Sequence, residues 1–177
     1  NKKYDFNYTT PEEYNKQADL IIISVKYHDL EEAIKQLDGL ISKKTVIISL
    51  LNGIDSEEII AGRFGYNNII HAFIYNLDAT KEDNNIRYLN RGIIVFGDKN
   101  NQENEKTHLV KQIFDDAKIS YEFSDNIMKR MWWKYMANIG INQTTAILKA
   151  SYRILQEIDS AQELARSAMQ EAVAVSR

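Results

Sequence analysis

Lys134, Asn138 and Asn142 recur every four residues in the run Trp132-Trp133-Lys134-Tyr135-Met136-Ala137-Asn138-Ile139-Gly140-Ile141-Asn142. On an α-helix this spacing puts them in one stripe that drifts by about 40° per step. The neighbours are aromatic, Met and Ile, so the stripe is polar on a mostly apolar helix. An unpaired buried polar group costs about 1–3 kcal/mol, so the three side chains need partners. A small anionic molecule bearing a carbonyl would supply them. The competing reading is a solvated stripe on a helix with one exposed face, and spacing alone does not separate the two.

Two further candidates stand at strand exits. In an open parallel sheet, ligands bind beyond the carboxyl ends of the strands. The apolar run Leu20-Ile21-Ile22-Ile23-Ser24-Val25 ends at Lys26, and Thr45-Val46-Ile47-Ile48-Ser49-Leu50-Leu51 ends at Asn52-Gly53. Lys26 is a candidate partner for phosphate, and Asn52 for a ribose or a substrate carboxylate. The plain readings are a solvated lysine and a common turn dipeptide. Tyr75-Asn76, after a third apolar run, is a weaker candidate of the same kind. His28, His71 and His108 share no metal-ligand spacing, which predicts no metal site. His71 reads as a strand residue and His108 as a helix-surface residue. No Gly-x-Ser-x-Gly elbow, Walker loop or Gly-x-Gly-x-x-Gly motif occurs among the seven glycines.

The elements that must position these residues follow from periodicity. Buried-type strands are predicted over residues 20–25, 45–51, 68–74 and 92–97, with one more short strand over 119–123. Helical spacing covers residues 29–41, a short segment from Ser56, and residues 103–117, whose inner face is Leu109, Val110, Ile113 and Phe114. Thr9 or Thr10 caps a short helix at Pro11-Glu12-Glu13. Residues 76–91 read as a polar connection containing a hairpin-like Asp83-Asn84-Asn85. From Ser124 or Asp125, a good N-cap, the texture becomes helical. One long, mostly buried helix carries Met128, Met131, Trp132, Tyr135, Met136 and Ile139. A second, from about Ser160, has Leu164, Ala165, Ala168, Met169, Ala172 and Val173 on one stripe. The alternation of strand and helix predicts an α/β fold with a mostly parallel sheet up to residue 124 and an all-α part after it. The expected division is residues 1–124 and 125–177.

Composition narrows the function classes. The chain has 177 residues, enough for one ordinary domain or most of two small ones. With 44% apolar and 27% charged residues it can bury a core, so disorder throughout is excluded. No apolar run is long enough to span a membrane, and the opening Asn-Lys-Lys-Tyr-Asp has no apolar segment of a secretory signal. A net charge of −3 argues against nucleic acid or an anionic membrane as a partner. The absence of cysteine removes disulfides, thiol catalysis and Cys-ligated metal, and fits a reducing compartment.

Three stretches together resemble the ketopantoate reductase (2-dehydropantoate 2-reductase) family. The strand from Asp19 ending in Lys26 is similar to that family's strand ending in lysine. The strand ending Leu50-Leu51-Asn52-Gly53 is similar to one ending Gln-Asn-Gly. The helix from Trp133 to Ala146 is similar to a Trp-x-Lys-Leu…Asn…Asn-Pro-Leu-Thr-Ala helix, with Gln143 and Thr144 replacing Pro-Leu and Tyr135 replacing Leu. The resemblance implies a Rossmann-like nucleotide-binding domain, lacking its first strands here, followed by the first helices of a helical substrate domain. It implies NADPH-dependent reduction of 2-dehydropantoate to pantoate, on the way to pantothenate and coenzyme A, in the cytoplasm. Lys134 would be the general acid, Asn138 and Asn142 would bind substrate, Lys26 would face the cofactor, and Asn52 would face both. It leaves room for a homodimer. It also places the family's glycine-rich loop and its 2′-phosphate-reading basic residue before Asn1, and a substrate-binding Ser and a site Glu beyond Arg177. The chain is therefore expected to be the middle of a reductase, with little NADPH binding or activity by itself. A related 2-oxoacid reductase, or a non-catalytic homologue acting in binding or assembly, are the alternatives.

Overall fold

A computed structural model describes residues 6–176. The first five residues, including the stretch read for a signal segment, and Arg177 lie outside the described residues. Strand β1 (Leu20–Ile23) pairs in parallel with β2 (Val46–Ser49), Leu20 opposite Val46. A 3₁₀ turn (Tyr27–Asp29) and helix α1 (Leu30–Lys35) make the crossover between them. Helix α2 (Ser56–Phe64) leads from β2 to β3 (His71–Glu82). A parallel bridge between Ile47 and Ile69 joins β2 to the entry of β3, and the Ile70 N–H donates to the Ile47 carbonyl at 3.0 Å. β4 (Asn85–Gly97) returns antiparallel to β3, and β5 (Tyr121–Phe123) lies parallel to β4 after helix α3 (Glu105–Asp116). Through that bridge the described strands follow the order β1-β2-β3-β4-β5, antiparallel among them at the β3–β4 joint alone. This is the mostly parallel α/β sheet that the sequence predicts, with a helical part following it.

The period of two along β2 explains the core. Ile47 joins Ile23, Leu30, Ile34, Leu51 and Ile60 on one face. Val46 and Ile48 join Ile70, Ala72, Ile94, Phe96, Val110 and Phe114 on the other. A strand buried on both faces needs apolar residues at consecutive positions, which is what residues 46–48 supply. Each such side chain contributes about 1.5–3 kcal/mol by leaving water. A third cluster, Phe73, Val95, Ile127 and Met131, seats helix α4 (Ile127–Ala137) on the sheet.

The helical part departs from one continuous helix. α4 gives way to a π-helical turn (Asn138–Gln143), then the short α5 (Thr144–Ile147). After a turn come α6 (Ile154–Glu157) and α7 (Asp159–Val175). α7 packs across the π turn at Gly140, where a Cβ would collide with the Met169 side chain and stand 3.0 Å from the Ala165 carbonyl.

Several expectations are corrected. β1 is not buried on both faces: Ile22 is 42% exposed, because among the described residues β1 pairs with β2 alone. The helix expected over 29–41 keeps α geometry only to Lys35, then breaks into turns over residues 36–40, with Gly39 at a φ of 87°. Residues 11–13 form a single turn on the Thr10 carbonyl, not a helix. Neither Ser124 nor Asp125 caps α4; the Asn126 side chain accepts from the Lys129 N–H. That helix is half-buried, with only Ile127 and Met131 fully covered. On α7 the covered stripe narrows to Ala161, Ala165 and Ala172, while Leu164 and Val173 reach solvent.

The largest departure is at residues 76–91, which are strand and not a polar connection. β3 and β4 run on past the body as a two-stranded arm that turns at Asp83-Asn84. Its residues are exposed on both faces, including Leu77, Ile86, Tyr88 and Leu89. The arm kinks as it leaves the body, where Asn76 and Gly92 face each other with φ of 54° and 77°. Leu89 bulges out further along, between the Asp78–Asn90 and Ala79–Tyr88 pairs.

Candidate active site

Ile127, Met131, Lys134 and Asn138 follow one another at helical spacing, so the residues that anchor α4 to the sheet also aim its next turn. Met131 is buried against Phe73 and Val95. One turn on, the Lys134 ammonium lies 5.4 Å from the centre of the Phe73 ring and donates to Asn52 Oδ1 at 3.0 Å. That bond spans the gap between the carboxyl end of β2 and the helical part. Lys134 is half-buried, and burial holds its ammonium below the usual lysine range.

Asn52 is set by the way β2 ends. The Leu50 N–H still donates to the Ile23 carbonyl at 2.9 Å, so the pairing with β1 persists to the exit. Leu51 is buried, and the chain then reverses at Gly53, whose φ of 123° excludes a side chain without strain. The loop after β1 is tied to the loop after β2 by a 2.8 Å bond from the Tyr27 hydroxyl to Asp55 Oδ2.

On the stripe itself, Asn142 Nδ2 donates to Asn138 Oδ1 at 3.2 Å, and the Tyr152 hydroxyl donates to Asn142 Oδ1 at 2.9 Å. The direction of these bonds leaves the Asn138 amide N–H groups free, and Asn52, whose oxygen is taken by Lys134, likewise presents N–H. The arrangement therefore offers an ammonium and amide donors to an acceptor-rich molecule.

The structure brings Lys134 to Asn52 and Asn138 to Asn142. Lys26 stands at the same end of the sheet, exposed at the start of the 3₁₀ turn, with no side-chain partner among the described residues. Tyr75 and Asn76 are taken up elsewhere: the Tyr75 hydroxyl donates to Glu122 Oε1 at 2.5 Å, and Asn76 makes the kink of the arm. His71 is a buried strand residue, and His108 sits on the surface of α3 beside Glu103. No group of three or more His, Asp or Glu among the described residues is placed to hold a metal ion, and no described helix is long and apolar enough to cross a membrane. Phe73, Tyr27, Asp55 and Tyr152 were not singled out from sequence. Phe73 was reachable, since strand alternation puts it on the face opposite Ala72. Tyr152 follows a turn with no periodic signal.

The model of the family described as ketopantoate reductase PanE/ApbA matches residues 1–101, and that of its C-terminal part matches residues 126–177. A 2-dehydropantoate 2-reductase of Streptococcus pyogenes is 25% identical over 138 residues, 78% of this chain and 45% of that protein. One from Pyrococcus horikoshii is 29% identical over 143 residues, 81% of this chain and 46% of that protein. Among solved structures, a 2-dehydropantoate 2-reductase from Geobacter metallireducens superimposes with a TM-score of 0.83 at 25% identity, over 96% of this chain and 56% of its own. A dimeric ketopantoate reductase from Staphylococcus aureus gives 0.78 at 25% identity, over 94% and 54%. The chain spans about half the length of the relatives it matches.

Proposed function

We propose, because this chain belongs to the ketopantoate reductase family, that the protein carrying it reduces 2-dehydropantoate to pantoate with NADPH, a cytoplasmic step toward pantothenate and coenzyme A. The observation that carries this reading is the Lys134–Asn52 bond, which sets an ammonium against the carboxyl end of a parallel sheet. NADPH, when bound, supplies the hydride that the substrate's carbonyl carbon accepts. Lys134 stands ready to stabilise the developing alkoxide and give it a proton, completing the alcohol. Asn138 and Asn142 hold the substrate's hydroxyl and carboxylate. Lys26, whose ammonium has no partner among the described residues, fits a cofactor phosphate, and Asn52 fits the ribose and the substrate. The division into a nucleotide-binding part up to about residue 124 and a substrate-binding helical part after it is part of the same proposal. So is a homodimer, which the dimeric Staphylococcus aureus relative supports.

The test is NADPH oxidation by the full-length protein, with 2-dehydropantoate against a panel of other 2-oxoacids. Turnover on 2-dehydropantoate is expected to lead the panel, and Lys134→Ala to cut it by about 10²–10⁴, the range of a general acid. Preference for another 2-oxoacid would move the substrate assignment, and near-normal turnover in Lys134→Ala would remove the role given to that residue.

A further inference from the structure

Glu57 lies in the first turn of α2, following the loop that carries Asn52, and is 2% exposed. Its Oε1 is buried with no well-formed hydrogen bond among the described residues. Its Oε2 is 2.9 Å from Ser56 Oγ, Ser56 Oγ is 2.8 Å from Ser49 Oγ, and Ser49 Oγ accepts the Leu51 backbone N–H at 3.4 Å. These contacts run from the helix back to the residue before Asn52. The hydroxyls of Ser56 and Ser49 can orient to satisfy the chain in either state: Ser49 donates to Ser56 and Ser56 to an ionised Glu57, or a protonated Glu57 donates to Ser56 and Ser56 to Ser49. An ionised Glu57 would bury a charge with no cation beside it and with one oxygen short of a well-formed hydrogen bond, at heavy cost. A neutral acid avoids that cost and keeps the chain intact: the Glu57 O–H donates to Ser56, Ser56 donates to Ser49, and Ser49 still accepts from Leu51.

We propose that Glu57 is a positioning residue for the site, a neutral acid heading a hydrogen-bond chain through Ser56 and Ser49 that fixes the loop presenting Asn52 to Lys134. The proposal rests on the reading of Lys134 and Asn52 given above. The groups facing Glu57 agree with it. Burial is the largest influence and pushes its acidity toward higher pH, and Asp55 on the same segment adds repulsion. Its own backbone N–H, the Ser56 hydroxyl and the Ala72 backbone of β3 pull the other way and are outweighed. From β2 comes only the Ser49 hydroxyl, a neutral group.

Carboxyl carbon NMR of the full-length protein, with the Glu57 signal assigned by its loss in Glu57→Gln, reads the protonation state across pH. Amide exchange at Leu51 and Asn52 reads the loop. Glu57 is expected to remain protonated at neutral pH, and turnover to fall as Glu57 ionises at higher pH, a step that Glu57→Gln removes while the limb set by Lys134 remains. Exchange and kcat in Glu57→Gln are expected to stay within about twofold of the parent, whereas Glu57→Ala exchanges faster and loses roughly tenfold in kcat. Where Glu57→Ala does not fold, Ser56→Ala is expected to show the same faster exchange. Titration of Glu57 near the ordinary value of about 4.3, or a Gln variant as damaged as the Ala variant, would overturn the proposal. The NMR and exchange readouts need no turnover, so they stand or fall apart from the reductase reading, which Lys134→Ala decides.

Discussion

Lys134 sits between two opposed influences. Burial disfavours its charged form, while the Asn52 carbonyl oxygen accepts from the ammonium and favours it. A general acid must hold its proton, so kcat/KM is expected to fall as pH rises through the Lys134 value, which lies below the ordinary lysine figure of about 10.4. Asn52→Ala removes the acceptor and should shift that alkaline limb to lower pH. A pH profile in which the limb stays put or moves up would contradict the role of Asn52. At this scale the sequence was half legible. Lysine and asparagine at four-residue spacing announced a polar stripe, and the strand exits announced Asn52 and Lys26. Nothing announced Glu57: it is followed by Glu58 in one predicted helix, yet Glu57 is buried and Glu58 exposed. That difference arises from the strands packed beneath, which no local spacing encodes.

The elements that carry the site meet at glycine. At Gly140 the absence of a side chain lets α7 approach the π turn, so Gly140→Ala should press on Met169 and the Ala165 carbonyl. Overpacking of this kind costs about 1–3 kcal/mol, to be read as a lower denaturation midpoint. Met169→Ala in the same chain should recover part of the loss, because the flexible side chain supplies the closest contacts. If the two changes simply add, the contact is not what makes Gly140 necessary. The elements most visible in the sequence were those buried on one or both faces, such as β2 and α3. The arm of β3 and β4 was missed because solvent bathes both its faces, which removes the alternation that marks a half-buried strand. Only its turn, Asp83-Asn84, left a sign. The π turn was missed for another reason: residues 127–147 show one unbroken helical pattern, and the extra residue in the turn is set by packing against α7.

Across the whole molecule, Phe96 is the meeting point of the sheet and α3. It is fully buried and stacks edge-on with Phe114 and Phe123 and at a tilt with Tyr121. Phe96→Ala should cost about 3–5 kcal/mol in a denaturant titration. A loss under about 1 kcal/mol would mean that the sheet and α3 hold together without this aromatic cluster. The α/β class and the change to helices near residue 124 were legible because they rest on long-range composition. The antiparallel β3–β4 joint was not, since strand direction depends on how the connection folds. The π turn between α4 and α5 acts on this scale too. One residue more than an α-helix would hold advances everything after it by about 100° of rotation about the axis. Past the turn, Thr144 and Thr145 lie in the interior, where they are 2% and 6% exposed. The turn is a phase shifter: upstream of it the helix is timed to the sheet, downstream to α7. Deleting a single residue between Asn138 and Gln143 would close the turn to ordinary α-helix and leave the residues on either side facing as they do now, one toward the sheet and the other toward α7.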